Sequence, residues 1–174
     1  MNAQLQPLVK KLGDAIEEAR RIDLMALEAK AEIEKILADG KVGAGEEQRY
    51  ATSSLTLQML PSRSAYVAKA LRSLATDLAA ELAVESDRYD RAVAVKRAEA
   101  RELAKTALAP FFEGEAAQLT RFVERMRCPR FSEIDAAVAE RPFKHSPDPG
   151  DILTWARRFI SRSSELAKKF DLGF

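Results

Sequence analysis

The chain has 174 residues, of which 32% are charged and 47% hydrophobic, and its formal net charge is +1 at pH 7. This length suits one domain or a small domain with an extension, and the small net charge excludes a global field that attracts nucleic acid or anionic membrane. The single cysteine, Cys128, excludes an internal disulfide, and no run approaches the ~20 apolar residues of a membrane span. These features predict a soluble cytoplasmic protein without a membrane partner.

The first predicted element is a helix over residues 4–38. Apolar residues recur there at alternating steps of three and four, which is typical of a coiled-coil seam. The seam consists of Leu5, Leu8, Leu12, Ala15, Ala19, Ile22, Ala26, Ala29, Ile33 and Ile36. Because the middle of the seam is alanine, we expect a neighbouring helix to bring large side chains against it.

Residues 39–61 are predicted to form a long loop. Gly40 is a helix-stop signal, and Gly43 and Gly45 indicate a loose chain after it. Later in the segment, apolar residues alternate with other side chains in a weak strand-like pattern. Either this stretch folds back over the helices, or it is an exposed segment that binds another chain. The candidate partner-binding residues are Leu55, Leu57 and Met59.

The longest predicted helix covers residues 62–109, which contain neither Gly nor Pro. One stripe along it consists of Val67, Leu71, Leu74, Leu78, Leu82, Ser86, Tyr89, Val93, Lys96, Ala100, Leu103 and Ala107. Ser86 and Lys96 interrupt the stripe. We expect Ser86 to bond its own helix and Lys96 to bury its stem with the ammonium in water; a functional buried lysine is the alternative.

The two long helices are predicted to pack as an elongated antiparallel, coiled-coil-like hairpin. A helix this long needs a partner along its stripe. In the predicted register Ile36 lies near Val67, and Ile22 lies near Leu82. A parallel self-dimer of the first helix competes with the hairpin, and the two can coexist. The end of the longer helix, including Leu103, would then be covered by the C-terminal third or by a second copy.

The C-terminal third differs in composition, because all eight Phe and the only Trp lie in residues 111–174. Aromatic side chains bury large areas and close compact cores. This change predicts a domain boundary, with a helical hairpin in residues 1–110 and a small aromatic-rich helical cap in 111–174. The cap is predicted to contain helices at about 114–127, 132–140 and 151–170, the last with Asp151 as N-cap.

Few residues support catalysis or metal binding. The only histidine, His145, lies in a Pro-rich link and is interpreted as a solvent-exposed loop residue. One histidine excludes a His-rich metal site, and no phosphate-binding glycine motif is present. A Cys128–His145 nucleophile–base pair is the alternative to a structural thiol. We therefore predict no enzyme activity and no cofactor.

Arginines in the C-terminal third are candidates for contacts with nucleic acid. Residues 121–174 hold 11 Lys and Arg against 8 Asp and Glu, a net charge of +3. The residues that share helix faces there are Arg121 with Arg125 and Arg158 with Arg162. A basic patch of this kind contacts phosphates.

These observations together predict an all-α, non-enzymatic scaffold or protein–protein interaction protein. It is expected to self-associate through its long apolar seams as a homodimer, and to bind an unidentified protein. A nucleic-acid-associated accessory protein that uses the C-terminal arginines is the alternative.

Overall fold

The computed structural model describes residues 5–40, 43–125, 148–170 and 172. This part of the chain contains four α-helices, one 3-10 turn and no strand, which confirms the predicted all-α class. The elements are α1 (Leu5–Asp39), α2 (Ala44–Leu108), a 3-10 turn (Ala109–Phe111), α3 (Ala116–Arg125) and α4 (Pro149–Phe170).

The described residues form two compact units. The first consists of 5–79 with 148–153, and the second consists of 80–125 with 154–170 and 172. The boundaries between them fall inside α2 and α4, not at the composition change near residue 110.

Helix α1 buries one stripe of its surface. Its buried side chains are Leu5, Leu12, Ile22, Ala29 and Ile36, and all of them belong to the seam read from the sequence. The five other members of that seam are half-buried. The 3–4 spacing therefore identified the buried face of this helix, because residues at such steps lie on one side of a 3.6-residue turn.

The predicted loop over 39–61 is wrong, because α2 already begins at Ala44. Gly43 is the residue before the first turn, and its N–H donates to Glu46 Oε2 over 2.9 Å. In return, the N–H of Glu46 donates to the carbonyl of Gly43 over 2.9 Å. This reciprocal arrangement resembles a capping box, and the carboxylates of Glu46 and Glu47 complement the positive end of the helix dipole. The glycines that suggested a loose chain thus accompany a helix start.

Pro61 lies inside α2 and does not end it. Proline has no N–H to donate to the carbonyl of Leu57 and costs about 3 kcal/mol in a helix interior. Packing on both sides of the proline offsets this cost. Leu60 before it and Val67 after it are buried in the same cluster as Ile22 of α1.

Within the first unit, α1 contacts the first part of α2. Arg49 reaches Glu32 at 3.9 Å, and Arg63 pairs with Glu18. In both pairs the arginine belongs to α2 and the glutamate to α1. The predicted pairing of Ile22 with Leu82 is therefore wrong for this unit, since Ile22 packs with Leu60 and Val67. The register is displaced because α2 starts earlier than predicted.

The second unit is organised around the later part of α2 and α4. Tyr89 and Val93 of α2 form a buried cluster with Leu166 and Leu172. Of the two polar residues on the stripe, Ser86 is buried, and the half-buried Lys96 directs Nζ to Glu99 Oε2 at 3.1 Å. This geometry fits a lysine with a covered stem and a solvated ammonium.

The end of α2 and the start of α4 differ from the sequence-based expectations. Leu103 is exposed, so within the described residues nothing covers it as predicted. Helix α4 begins at Pro149, and its N-cap is Asp148, whose Oδ1 accepts the Gly150 N–H at 2.7 Å. Proline at the first helical position explains the earlier start, because its N–H is not needed there. The predicted helix at 132–140, Cys128 and His145 lie outside the described residues.

Candidate partner-binding surface

Helix α2 contains an uncharged stretch in a chain that is otherwise rich in charge. Residues 50–62 include no Asp, Glu, Lys or Arg, whereas charged residues make up 32% of the whole sequence. Arg49 immediately precedes the stretch and Arg63 immediately follows it. A solvent-exposed helix of this length normally carries charges on its outer face, so their absence here indicates a surface that is not built only for contact with water.

One side of this stretch is solvent-exposed along its whole length, and we call it the uncharged face. It consists of Gln48, Thr52, Leu55, Met59, Ser62 and Tyr66, at steps of four and three. The three large side chains are strongly exposed, at 58% for Leu55, 66% for Met59 and 76% for Tyr66. Because these steps follow one side of the helix, the side chains form a continuous row about five turns long.

The threonine hydroxyls on and beside this row are hydrogen-bonded to carbonyls of their own helix. The hydroxyl of Thr52 donates to the carbonyl of Gln48 over 2.8 Å, and that of Thr56 donates to the carbonyl of Thr52 over 2.8 Å. A threonine whose hydroxyl is bonded back to its own helix presents its methyl group outward. The row therefore offers mostly carbon atoms to a partner.

The structure separates the three predicted partner-binding residues. Leu55 and Met59 lie on the uncharged face, as an exposed segment requires. Leu57 instead packs against the buried cluster of Ile22, Leu60 and Val67, so it is not available to a partner. The strand-like alternation that grouped the three residues is wrong here, because positions two apart on a helix point in different directions.

The basic residues that flank the uncharged face are turned toward α1. Arg63 pairs with Glu18, and Arg49 lies 3.9 Å from Glu32. Exposed ion pairs of this kind contribute little to stability, at about 0–1 kcal/mol each. The two glutamates do, however, neutralise the two arginines, so these four residues together add no net charge beside the uncharged face.

A second surface lies where the 3-10 turn leads into α3. Glu113 and Gly114 have φ angles of 42° and 89°, which reverse the chain within two residues. The reversal places the ring of Phe112 against Phe122 of α3, with their centroids 5.6 Å apart. Phe122 is half exposed, because Leu119 and Val123 occupy the buried side of α3.

The two phenylalanines form a groove of about 470 Å³, which we call the aromatic–arginine groove. Its described lining consists of Phe112, Gln118, Arg121, Phe122 and Arg125. Two of the four arginines proposed for nucleic-acid contacts are thus placed together. Arg158 and Arg162 do not belong to its described lining, and Arg162 Nη1 lies 3.6 Å from Glu165 Oε2.

Glu85 is a buried charged residue of the second unit that the sequence pattern did not indicate. Glu85 is fully buried, and its Oε1 accepts from Arg88 Nη1 at 3.0 Å. One turn later, burial raises the pKa of Tyr89 to about 12; Asp90 adds to the rise, and Arg162 opposes it. The ring of Tyr89 meets Phe159 edge-on at 6.1 Å, as in an aromatic core. These features assign Tyr89 to packing, since a phenol that stays protonated to high pH is a poor base.

Among the described residues, no group of three or more His, Cys, Asp or Glu side chains is arranged to hold a metal ion. None of the described helices combines the length and the apolar character needed to cross a membrane. No protein-family profile, no curated protein and no solved structure matches this chain.

Proposed function

We propose that the protein is a non-enzymatic helical scaffold that self-associates, and that the uncharged face of α2 is the surface it uses. The observation that carries the proposal is the exposure of Leu55, Met59 and Tyr66 in a row without charges. Large apolar side chains gathered on one face mark interaction surfaces in soluble proteins. Met and Tyr are also among the residues enriched in the cores of protein interfaces.

The apolar stripe of α1 has a different part in this proposal, which is to hold one chain together. The stripe of α1 packs within its own unit, so it is occupied in one chain by the start of α2. The uncharged face lies on another side of α2 and is exposed in that chain. We therefore favour self-association through this second face over a parallel dimer of the α1 seam, and we retain the antiparallel hairpin as the unit that associates.

The double variant Leu55→Glu/Met59→Glu tests the proposal. Placing two carboxylates at the centre of the row is expected to weaken self-association about 30-fold or more, as hot-spot changes do. Light scattering and sedimentation equilibrium over a range of concentrations measure the mass of the assembly. We expect wild-type protein to approach the mass of two chains at high concentration and the variant to remain a single chain.

A matched control is available on α1. Leu24→Glu/Leu27→Glu changes two similarly exposed leucines of another helix and is expected to leave self-association unaltered. Helical circular dichroism should be the same for both double variants, since all four side chains are exposed. A wild-type mass of one chain at every concentration would contradict the proposal, as would equal weakening by the two double variants.

A second candidate function rests on the aromatic–arginine groove. Exposed aromatic rings beside arginines form the kind of surface on which bases of single-stranded nucleic acid stack while phosphates meet the guanidinium groups. Arg121 and Arg125 lie beside Phe112 and Phe122. This placement favours a nucleic-acid site at the groove over a site formed by the arginines of α4. This role is compatible with a self-associating scaffold.

Binding of a fluorescent single-stranded oligonucleotide at low and moderate salt tests this second function. Arg121→Gln/Arg125→Gln is expected to weaken binding and to flatten its dependence on salt, because fewer counterions are released. Arg158→Gln is the control, since it removes an arginine outside the described groove lining. The absence of any binding at low salt would exclude this function.

A further inference from the structure

The spacing of residues along the uncharged face is the same in both directions. Counted outward from position 57, Leu55 and Met59 are equidistant, Thr52 and Ser62 are equidistant, and Gln48 and Tyr66 are equidistant. The steps of four, three, four, three and four are therefore symmetric about that position. Two helices that pair antiparallel bring equidistant positions opposite each other.

We propose that the occupant of the uncharged face is the same face of a second copy, paired antiparallel about a two-fold axis near residue 57. This inference rests on the proposed self-association and specifies its geometry. In a two-fold interface residue i contacts residue j, and j contacts i in return. Each layer of this pairing then occurs twice, once on each side of the axis.

The side chains in each layer suit one another in size. Leu55 of one copy lies opposite Met59 of the other, which places the apolar contact at the centre. The next layer pairs the small side chains Thr52 and Ser62, which allows close approach of the backbones. The outer layer sets the ring of Tyr66 against Gln48, whose stem can pack while its amide stays near water.

Charge complementarity at the two ends favours the antiparallel arrangement. Glu47 and Lys69 are exposed and lie about six turns apart on the same flank of α2. In the antiparallel pair, Glu47 of one copy lies opposite Lys69 of the other, within about 3 Å along the axis. In a parallel pair in register, Glu47 of one copy would lie about six turns from Lys69 of the other, so neither attractive contact would form.

Distances between spin labels measure the direction of pairing. Single cysteines are placed on one exposed flank of α2 by Ala51→Cys, Gln58→Cys and Ala65→Cys, in a Cys128→Ser background. For the antiparallel pair, the separation along the helix axis between equivalent labels is expected to be about 3 Å at 58, about 18 Å at 51 and about 24 Å at 65. A parallel pair would give the same separation at all three positions.

Charge reversal supplies an independent measurement. Glu47→Lys is expected to weaken self-association several-fold, because it replaces two attractive contacts with two repulsive ones. The double variant Glu47→Lys/Lys69→Glu is expected to return the affinity to within about twofold of wild type, by restoring both contacts. Glu28→Lys, at an exposed position on α1, is the control for the change in net charge.

The outcomes separate this inference from the proposed function. A distance profile with its minimum near 58 and rescue by the double charge reversal support the antiparallel pair. Equal distances at the three positions, or long distances at all of them in a protein with the mass of two chains, overturn this geometry while self-association stands. If unlabelled wild-type protein has the mass of one chain at every concentration, the proposed function fails, and this inference fails with it.

Discussion

Replacing Leu12 by alanine is expected to lower the free energy of unfolding by about 2–5 kcal/mol. Leu12 of α1 is fully buried, at 0% exposure. The substitution removes apolar carbon atoms from a packed interior and leaves a cavity that the surrounding helices fill only in part. Urea unfolding followed by the helical circular dichroism signal measures the change, with the slope of the transition expected to stay constant.

Leu27→Ala is the matched control for this substitution. It makes the same chemical change in the same helix, but Leu27 is 63% exposed. Leucine and alanine are both strong helix formers, so the expected loss of stability is within about 0.5 kcal/mol. Equal losses for the two variants would show that the stripe containing Leu12 is not the buried side of α1.

Between pH 10 and pH 12 we expect the wild-type protein to lose about 2–3 kcal/mol more stability than Tyr89→Phe. Burial raises the pKa of Tyr89 from 10.0 to about 12; Asp90 adds to the rise, and Arg162 and Arg97 oppose it. Below pH 10 the phenol is protonated in both the folded and the unfolded chain. As the pH rises from 10 to 12, only the unfolded chain releases the proton, which favours unfolding. Above pH 12 the difference levels off.

Denaturant unfolding at a series of alkaline pH values measures this effect. Tyr89→Phe keeps the ring in its cluster and removes the titrating hydroxyl, so its curve isolates the contribution of that group. Tyr50→Phe, at an exposed tyrosine of the same helix, is the control and is expected to follow the wild-type profile. Parallel curves for wild type and Tyr89→Phe would contradict the assignment of Tyr89 to a buried, protonated state.

The candidate surface was only partly predictable. The segment near residues 55–59 is a candidate surface because apolar residues alternate there, and the structure exposes Leu55 and Met59. Its conformation was misread, because the alternation of apolar residues resembles a strand over six positions. Tyr66, which completes the row, lay beyond the expected loop boundary. The pairing of Phe112 with Phe122 depends on two consecutive positive φ angles, which the sequence pattern did not indicate.

The sequence by itself determined the helical class and the buried stripe of α1. Both follow from local rules, since the period of apolar residues reflects the period of the helix, and every buried residue of α1 lies on the predicted stripe. The start of α2 is also encoded locally, in Gly43 and Glu46, although the glycines by themselves predict a loop.

Only the tertiary structure decided what happens at Pro61 and how the helices pair. A proline in a helix interior is locally unfavourable, and the helix continues because Leu60 and Val67 pack on either side of it against α1. Register and burial of individual side chains, such as Leu57 inside and Leu55 outside, depend in the same way on contacts between residues far apart in the chain. Local spacing defines the faces of a helix, whereas the neighbour that covers each face is selected by the free energy of packing.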